Sequence, residues 1–364
     1  MQLQFFPSRQ ISIYMGKLFI VRTFAVLAML VMVLMALDML GESGKILEVP
    51  GNDQGDLWHY AALRAPQIVA RFLPFSVLLG TLITLATLNQ NSEIIAMKAS
   101  GLSAHQILAP MILASLLVAG ISFTFNDHVV APSTAQLKIW QDAAYKPVPK
   151  NANFRANIWV REGDDLIKAG RVTGSGAQTK LHDVAIYFRE QGKLQQVIRA
   201  ENAAYIDDAW QLGKVKIFDI ATGSNKEESQ LIIGRGIGYE RFENQKVDGN
   251  ALSFTQLGHA IKAQKQAGRR TDALEGIYWH KLAAPLSSLL MPLLGAVAAF
   301  GLARSGALFL RAVIGMALGF AYFVVDNFAL AMGNLGAYSP PVAAWAPFLL
   351  FFLIGETVLI RTEE

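Results

Sequence analysis

The chain has 364 residues, 53% hydrophobic and 16% charged, with a mean hydropathy of +0.34 and a formal net charge of +4. Charge this sparse excludes an ordinary soluble globular protein, in which about a quarter of residues are charged, and no basic run suggests nucleic-acid binding. The absence of cysteine excludes a disulfide framework and Cys-based metal sites, and suits an oxidising compartment.

The first apolar segment is Leu18–Leu40, preceded by Arg9 and Lys17 and carrying Arg22 near its start. It is too long for a signal h-region and lacks a small-x-small cleavage site, so it is expected to be a retained span. Phe72–Leu88 and Ile107–Phe125 follow, each close to the ~20 residues that cross a bilayer.

Between these two lies a compact polar stretch, NQNSEIIAMKASGLSAHQI, residues 89–107. Ser92 is a candidate N-cap, Glu93 sits where a carboxylate meets the helix dipole, and Gly101 is a natural terminator. Ile94, Met97 and Lys98 share one face of this short helix, with Ile95 and Leu102 on another. A helix of two to three turns is marginal in water, so it must dock onto something. The choices are its own span ends, the headgroup region, or a groove on a cytoplasmic protein.

Residues 126–276 are polar and read as a folded water-soluble domain. Strands are expected at Asn157–Val160, Asp165–Arg171, Val184–Arg189, Leu194–Glu201, Ala203–Ile206, Trp210–Asp219 and Gln230–Ile237, separated by tight turns. Such a pattern suggests an antiparallel sandwich or jelly roll whose edge could accept a partner strand. A surface helix, Ser253–Ala267, leads back to the membrane.

Three more apolar segments, Leu282–Leu302, Leu308–Met332 and Val342–Ile360, give six expected spans in a 3+3 arrangement around the inserted β domain. The expected division is 1–125, 126–276 and 277–364. Arg9, Lys17, Lys98, Arg304, Arg311 and Arg361 flank short loops on one side. By the positive-inside rule both termini and the Glu93 helix are cytoplasmic and the large domain is outside.

Within the spans, Asp38, Arg71, Asp326 and Glu356 stand out because charge in hydrocarbon is costly. Asp326 is expected to face a cavity or another subunit, and Glu356 to be structural. Small residues in spans 4 and 5 (Gly295, Ala296, Ala298, Ala299; Gly315, Ala317, Gly319, Ala321) mark close helix contacts. No Walker A, H-E-x-x-H or G-x-S-x-G motif is present and the six histidines are scattered, so the chain is expected to hold no nucleotide and no metal. A membrane hydrolase using Asp326 with His280 or Lys281 is disfavoured, since these residues fall on separate spans and are expected at different depths. An envelope scaffold or sensor remains as a second alternative.

Several stretches resemble the lipopolysaccharide export permeases LptF and LptG. They are Tyr14-Met-Gly-Lys17, Leu37-Asp-Met-Leu40, Phe72-Leu-Pro-Phe75, Leu78-Leu-Gly80, Val130-Ala-Pro132, Tyr322-Phe-Val-Val-Asp-Asn327 and, most specific, Ser92-Glu-Ile-Ile-Ala-Met-Lys-Ala-Ser-Gly101. The Leu37 and Val324 stretches lean toward the LptG branch. The resemblance implies a heterodimer with an LptF-like permease, driven by an LptB-like ATPase dimer that binds ATP and Mg and delivering lipopolysaccharide toward an LptC-like bridge protein. It implies a coupling helix over 91–102, with Glu93, Ile94, Met97, Lys98, Ser100 and Gly101 meeting the ATPase. It also implies a lipid-sized cavity, for which Asp38, Lys45, Arg64, Arg71, Phe72, Pro74, Lys138 and Asp326 are candidates. The basic residue that some LptG proteins carry one turn before the Leu-Asp motif is missing here. Lys45, Arg64, Arg71 and Lys138 are its nearby substitutes for lipid A phosphates.

Overall fold

The structure is a computed structural model that describes residues 7–147, 154–174, 176–190, 193–207, 209–220, 222–233, 237–239, 242, 248–266, 268–297 and 308–361. Arg304, Ala298, Ala299 and the ends of the expected segments Leu282–Leu302 and Ser253–Ala267 lie outside these residues.

Nine α-helices are described. They are α1 (Arg9–Leu47), α2 (Gln54–Gln90), α3 (Glu93–Ala99), α4 (Ala104–Phe125), α5 (Ala131–Asp142), α6 (Phe254–Gln266), α7 (Asp272–Ala296), α8 (Leu308–Asn334) and α9 (Pro340–Arg361). α4 does not stop at its apolar end. A π-helical turn, Asn126–Val130, carries it into α5. Pro132 lacks an N–H, and a widened turn just before it absorbs that gap. The polar region after residue 125 therefore begins as helix rather than strand. Among the described residues five helical stretches are long and apolar enough to cross a membrane: Arg9–Leu47, Gln54–Gln90, Ala104–Asp142, Val313–Asn334 and Pro340–Arg361.

The chain divides into two compact units. One comprises 1–42, 58–135 and 248–364; the other comprises 43–57 and 136–247. The helical unit buries Met15 and Phe19 of α1, Val77, Leu78 and Leu85 of α2, Ile94 of α3, Ile107 and Met111 of α4, Met291 and Leu294 of α7, Tyr322 of α8 and Phe351 of α9 in one cluster. Lipid is as apolar as leucine, so close packing rather than hydrophobicity must hold such helices together. The small residues do this within the chain. A Cβ at Gly295 would meet Thr81 at 2.8 Å, one at Gly319 would collide with Leu78, and one at Gly80 would collide with Thr23. α7 and α8 thus approach α2 at glycine, and α2 approaches α1 the same way.

The other unit holds six antiparallel strands: β1 (Phe154–Glu162), β2 (Asp165–Thr173), β3 (Lys180–Glu190), β4 (Lys193–Ile206), β5 (Ala209–Asp219) and β6 (Asn225–Ile233). They pair in sequence order, each with the one before it. The described strands form one antiparallel meander, which supplies the inserted β domain expected in the middle of the chain. The two strands expected at Leu194–Glu201 and Ala203–Ile206 are one continuous β4.

The meander is creased. Pairing lapses where Gly170, Asp183, Glu201, Lys214 and Ser229 would face one another, while the register on either side is unchanged. At this row Asp183 and Lys214 adopt positive φ, 52° and 54°. The inward alternation slips by one residue across it. Ile167 and Ala169 are buried before it and Val172 after; Ile198 and Ala200 before and Ala203 after. Each strand thus keeps its apolar residues on one side of a bent sheet. Trp210 closes that core, donating from Nε1 to the Ile237 carbonyl at 2.9 Å and lying edge-on to Phe242.

Candidate functional site

α3 is a seven-residue helix set between two long ones. Ser92 does not cap it by its side chain. Its backbone is left-handed, φ 59°, and no side-chain cap bond forms. The capping box belongs instead to Ser103 and Gln106 at the start of α4, which exchange side-chain and backbone bonds. Gly101 does terminate α3. At φ 88° it permits the paired bonds Gly101 N to Lys98 O (3.0 Å) and Leu102 N to Met97 O (3.1 Å) that close a helix end.

The two apolar members of the Ile94/Met97/Lys98 face point inward. Ile94 is 5% exposed and Met97 packs against the same helical core. They anchor α3, so they are not surface contacts. The outward side offers Ile95, 61% exposed, with Lys98 and Ser100 also exposed. Glu93 is half-buried. Its Oε1 accepts from Tyr14 Oη of α1 at 3.3 Å and from Asn91 Nδ2 at 3.2 Å. One turn into α4, His105 Nε2 lies 3.1 Å from Glu356 Oε2 of α9. Glu356 therefore joins the base of α9 to the helix that follows α3. Partners 79 and 251 residues apart leave no local signal in a sequence, so neither contact is legible there.

Two of the cavity candidates neutralise each other. Arg64 Nη2 lies 2.9 Å from Asp38 Oδ1, and its Nε is 3.2 Å from both carboxylate oxygens. Tyr60 Oη donates to Asp38 Oδ2 at 2.6 Å, and Arg64 Nη1 donates to Gln67 at 2.7 Å. Arg64 is thus a clamp between α1 and α2 rather than a free cation. Arg71, two turns further along α2, is exposed and has no ion pair or hydrogen bond among the described residues. Phe72 is half-buried and Pro74 buried beneath it. Lys45 and Lys138 belong to the other unit.

Asp326 is 7% exposed. Its Oδ2 is 3.0 Å from His280 Nε2 of α7, and its Oδ1 is buried without a partner among the described residues. The expectation that Asp326 and His280 lie at different depths is therefore overturned. The sequence has no nucleophile elbow and no metal cluster occurs among the described residues, so the side-by-side pair reads as a polar tie between α7 and α8.

The sequence matches the model of the family described as lipopolysaccharide export system permease LptF/LptG over residues 13–361. The lipopolysaccharide export system permease protein LptG of Escherichia coli (strain K12) is 27% identical over 308 residues, covering 83% of this chain and 84% of that protein. The protein of the same name from Haemophilus influenzae is 25% identical over 364 residues, covering 96% and 98%. A family match spanning nearly the whole chain, on an architecture of apolar helices interrupted by an inserted antiparallel sheet, leads to one conclusion: this chain belongs to the lipopolysaccharide export permease LptF/LptG family.

Proposed function

We propose that this chain is the LptG-type permease subunit of an inner-membrane ABC transporter that extracts lipopolysaccharide and drives it toward the outer membrane. The observation that carries the reading is α3: a short helix anchored inward by Ile94 and Met97, presenting Ile95, Lys98 and Ser100 outward, in a chain with no nucleotide motif of its own. In this reading α7 belongs to a sixth span, both termini and α3 are cytoplasmic, and the sheet unit is periplasmic.

The engine is an LptB-like ATPase dimer that binds ATP and Mg. It grips α3 through its exposed face and Glu93. Its closure moves α3 as a rigid lever. Movement passes to α1 through Glu93–Tyr14 and to α9 through His105–Glu356. An LptF-like permease completes the cavity, and an LptC-like protein receives the lipid beyond it. Exposed Arg71 is the best placed of the basic candidates to meet a lipid phosphate, because it has no internal partner among the described residues to give up.

The test is affinity purification of the full chain from native membranes in mild detergent, followed by mass spectrometry. Recovery of a P-loop ATPase and a second multi-span permease is expected, with Glu93→Lys losing the ATPase while the permease pair persists. Recovery of the chain alone, under conditions that preserve other membrane complexes, would overturn the reading in favour of a scaffold.

A further inference from the structure

The outward face of the creased sheet carries a groove of about 1000 Å³. Its floor is built by β2 to β6, and its wall by the segment Asp142–Pro147 just after α5. That volume suits a ligand the size of a small oligosaccharide. The alternation of the strands puts this face opposite the apolar core.

One row of the floor is hard to explain by stability. Lys168 faces Ala185, Ala185 faces Arg199, Arg199 faces Lys216, and Lys216 faces Glu227. Arg199 and Lys216 are like charges directly opposed, an arrangement that destabilises a sheet. Lys216 is neutralised by Glu227 at 3.0 Å. Arg199 has no carboxylate or hydrogen-bond partner among the described residues, and neither does Arg171 in the next rows. The groove's carboxylates are mostly spent: Glu201 pairs with Lys214 at 2.6 Å and Glu228 with Lys226 at 2.6 Å. Asp142 lies near Lys138, which leaves Asp183 at the crease.

Two free guanidinium groups therefore face an open floor. Ala185 keeps that floor low, and Lys168 and Arg199 flank it two strand spacings apart, about 10 Å. At one end Tyr187 stacks with Trp159 at 5.8 Å, and Lys168 lies over the Trp159 ring at 5.6 Å. Guanidinium forks match phosphate oxygens in pairs, which a lone ammonium cannot do. An aromatic ledge beside them suits the C–H face of a sugar.

We propose that this groove binds a phosphorylated saccharide, with Arg199 and Arg171 taking the phosphate and Tyr187 bordering the sugar. The site is independent of α3. Only the choice of lipopolysaccharide as the natural source rests on the export reading; a free sugar phosphate would satisfy the same chemistry.

The test is isothermal titration of the full chain in detergent with glucose 1-phosphate, using glucose as the neutral control. Saturable binding of glucose 1-phosphate, absent with glucose, is expected. Arg199→Gln and Arg171→Gln should each weaken it by about tenfold or more, the scale of a lost charge-assisted bond. Lys193→Gln, an exposed cation outside the groove, should leave it unchanged. A benzophenone amino acid in place of Ala185 then separates the sources in growing cells. Cross-linking to lipopolysaccharide identifies the lipid headgroup, while intact binding in vitro without that cross-link identifies a free sugar phosphate. No binding of glucose 1-phosphate, or binding that survives the double Arg171→Gln/Arg199→Gln variant with an unchanged melting temperature, overturns the proposal. Loss of the ATPase from purified complexes would leave this result untouched, so the two readings fail separately.

Discussion

Asp38 and Arg64 face each other across α1 and α2 with a closest approach of 2.9 Å, and Tyr60 completes the carboxylate's shell at 2.6 Å. Removing Asp38 strands a partly buried guanidinium, so Asp38→Ala should lower thermal stability by about 1–2 kcal/mol. Asp38→Ala combined with Arg64→Ala should cost less than the sum of the two single changes. A double-mutant cycle on melting in detergent checks this; strict additivity would show that the pair is not coupled.

His280 and Asp326 make a second tie, more deeply buried, with Asp326 Oδ1 left over. Asp326→Asn keeps a side chain that can meet the imidazole, whereas Asp326→Ala leaves His280 half-buried and unpaired. The alanine change should cost about 3 kcal/mol and the asparagine change clearly less. Equal melting temperatures for the two variants would remove the tie.

α3 separates anchoring from contact within adjacent residues. Ile94→Ala opens space under the helix and should destabilise the protein by about 2–4 kcal/mol, the scale of a buried large-to-small change. Ile95→Ala should leave melting within about 0.5 kcal/mol while reducing the ATPase recovered with the chain. Pull-down yields and melting curves of both variants decide it. Loss of ATPase from neither would sink the contact role of the exposed face.

The sheet unit should be pH-sensitive through His182. Burial holds the His182 pKa below its ordinary 6.5, and the nearby Arg171 charge pushes the same way. The folded protein therefore prefers neutral imidazole. Its contribution is complete above about pH 6.5 and is lost as pH falls through that value toward the lower folded pKa. Melting temperature measured from about pH 7.5 down to about 5.5 should fall for the native chain and fall less for His182→Asn.

The crease can be tested at Lys214. A left-handed backbone costs a non-glycine residue about 1 kcal/mol, and the exposed bridge to Glu201 contributes little. Lys214→Gly should raise the melting temperature slightly, and Lys214→Val should lower it.

Five of the six expected spans and the helix after α2 were legible because apolar length and Gly101 are local signals. The Ser92 cap was misread because Ser103, eleven residues on, had the Gln106 that completes a capping box. The single strand β4 reads as two in the sequence for a different reason. Strand sequences record which face is apolar, but the crease inserts a one-residue slip into each strand, and that slip resembles the breaks between separate strands. The break expected at Asn202 in β4 is this slip. The ties Asp38–Tyr60–Arg64, Glu93–Tyr14 and His105–Glu356 could not be read at all, since each depends on which helices become neighbours.

The sequential pairing of β1 to β6 has a bearing on biogenesis. Each strand from β2 to β6 pairs with the strand made just before it. As the polypeptide emerges from its amino end, the sheet can therefore zip up progressively, closing only short loops at each step. Among the described strands, none waits for a distant segment that is still being synthesised. Contact order, rather than stability, is what this arrangement minimises: the inserted domain can finish folding before the last three helices are complete.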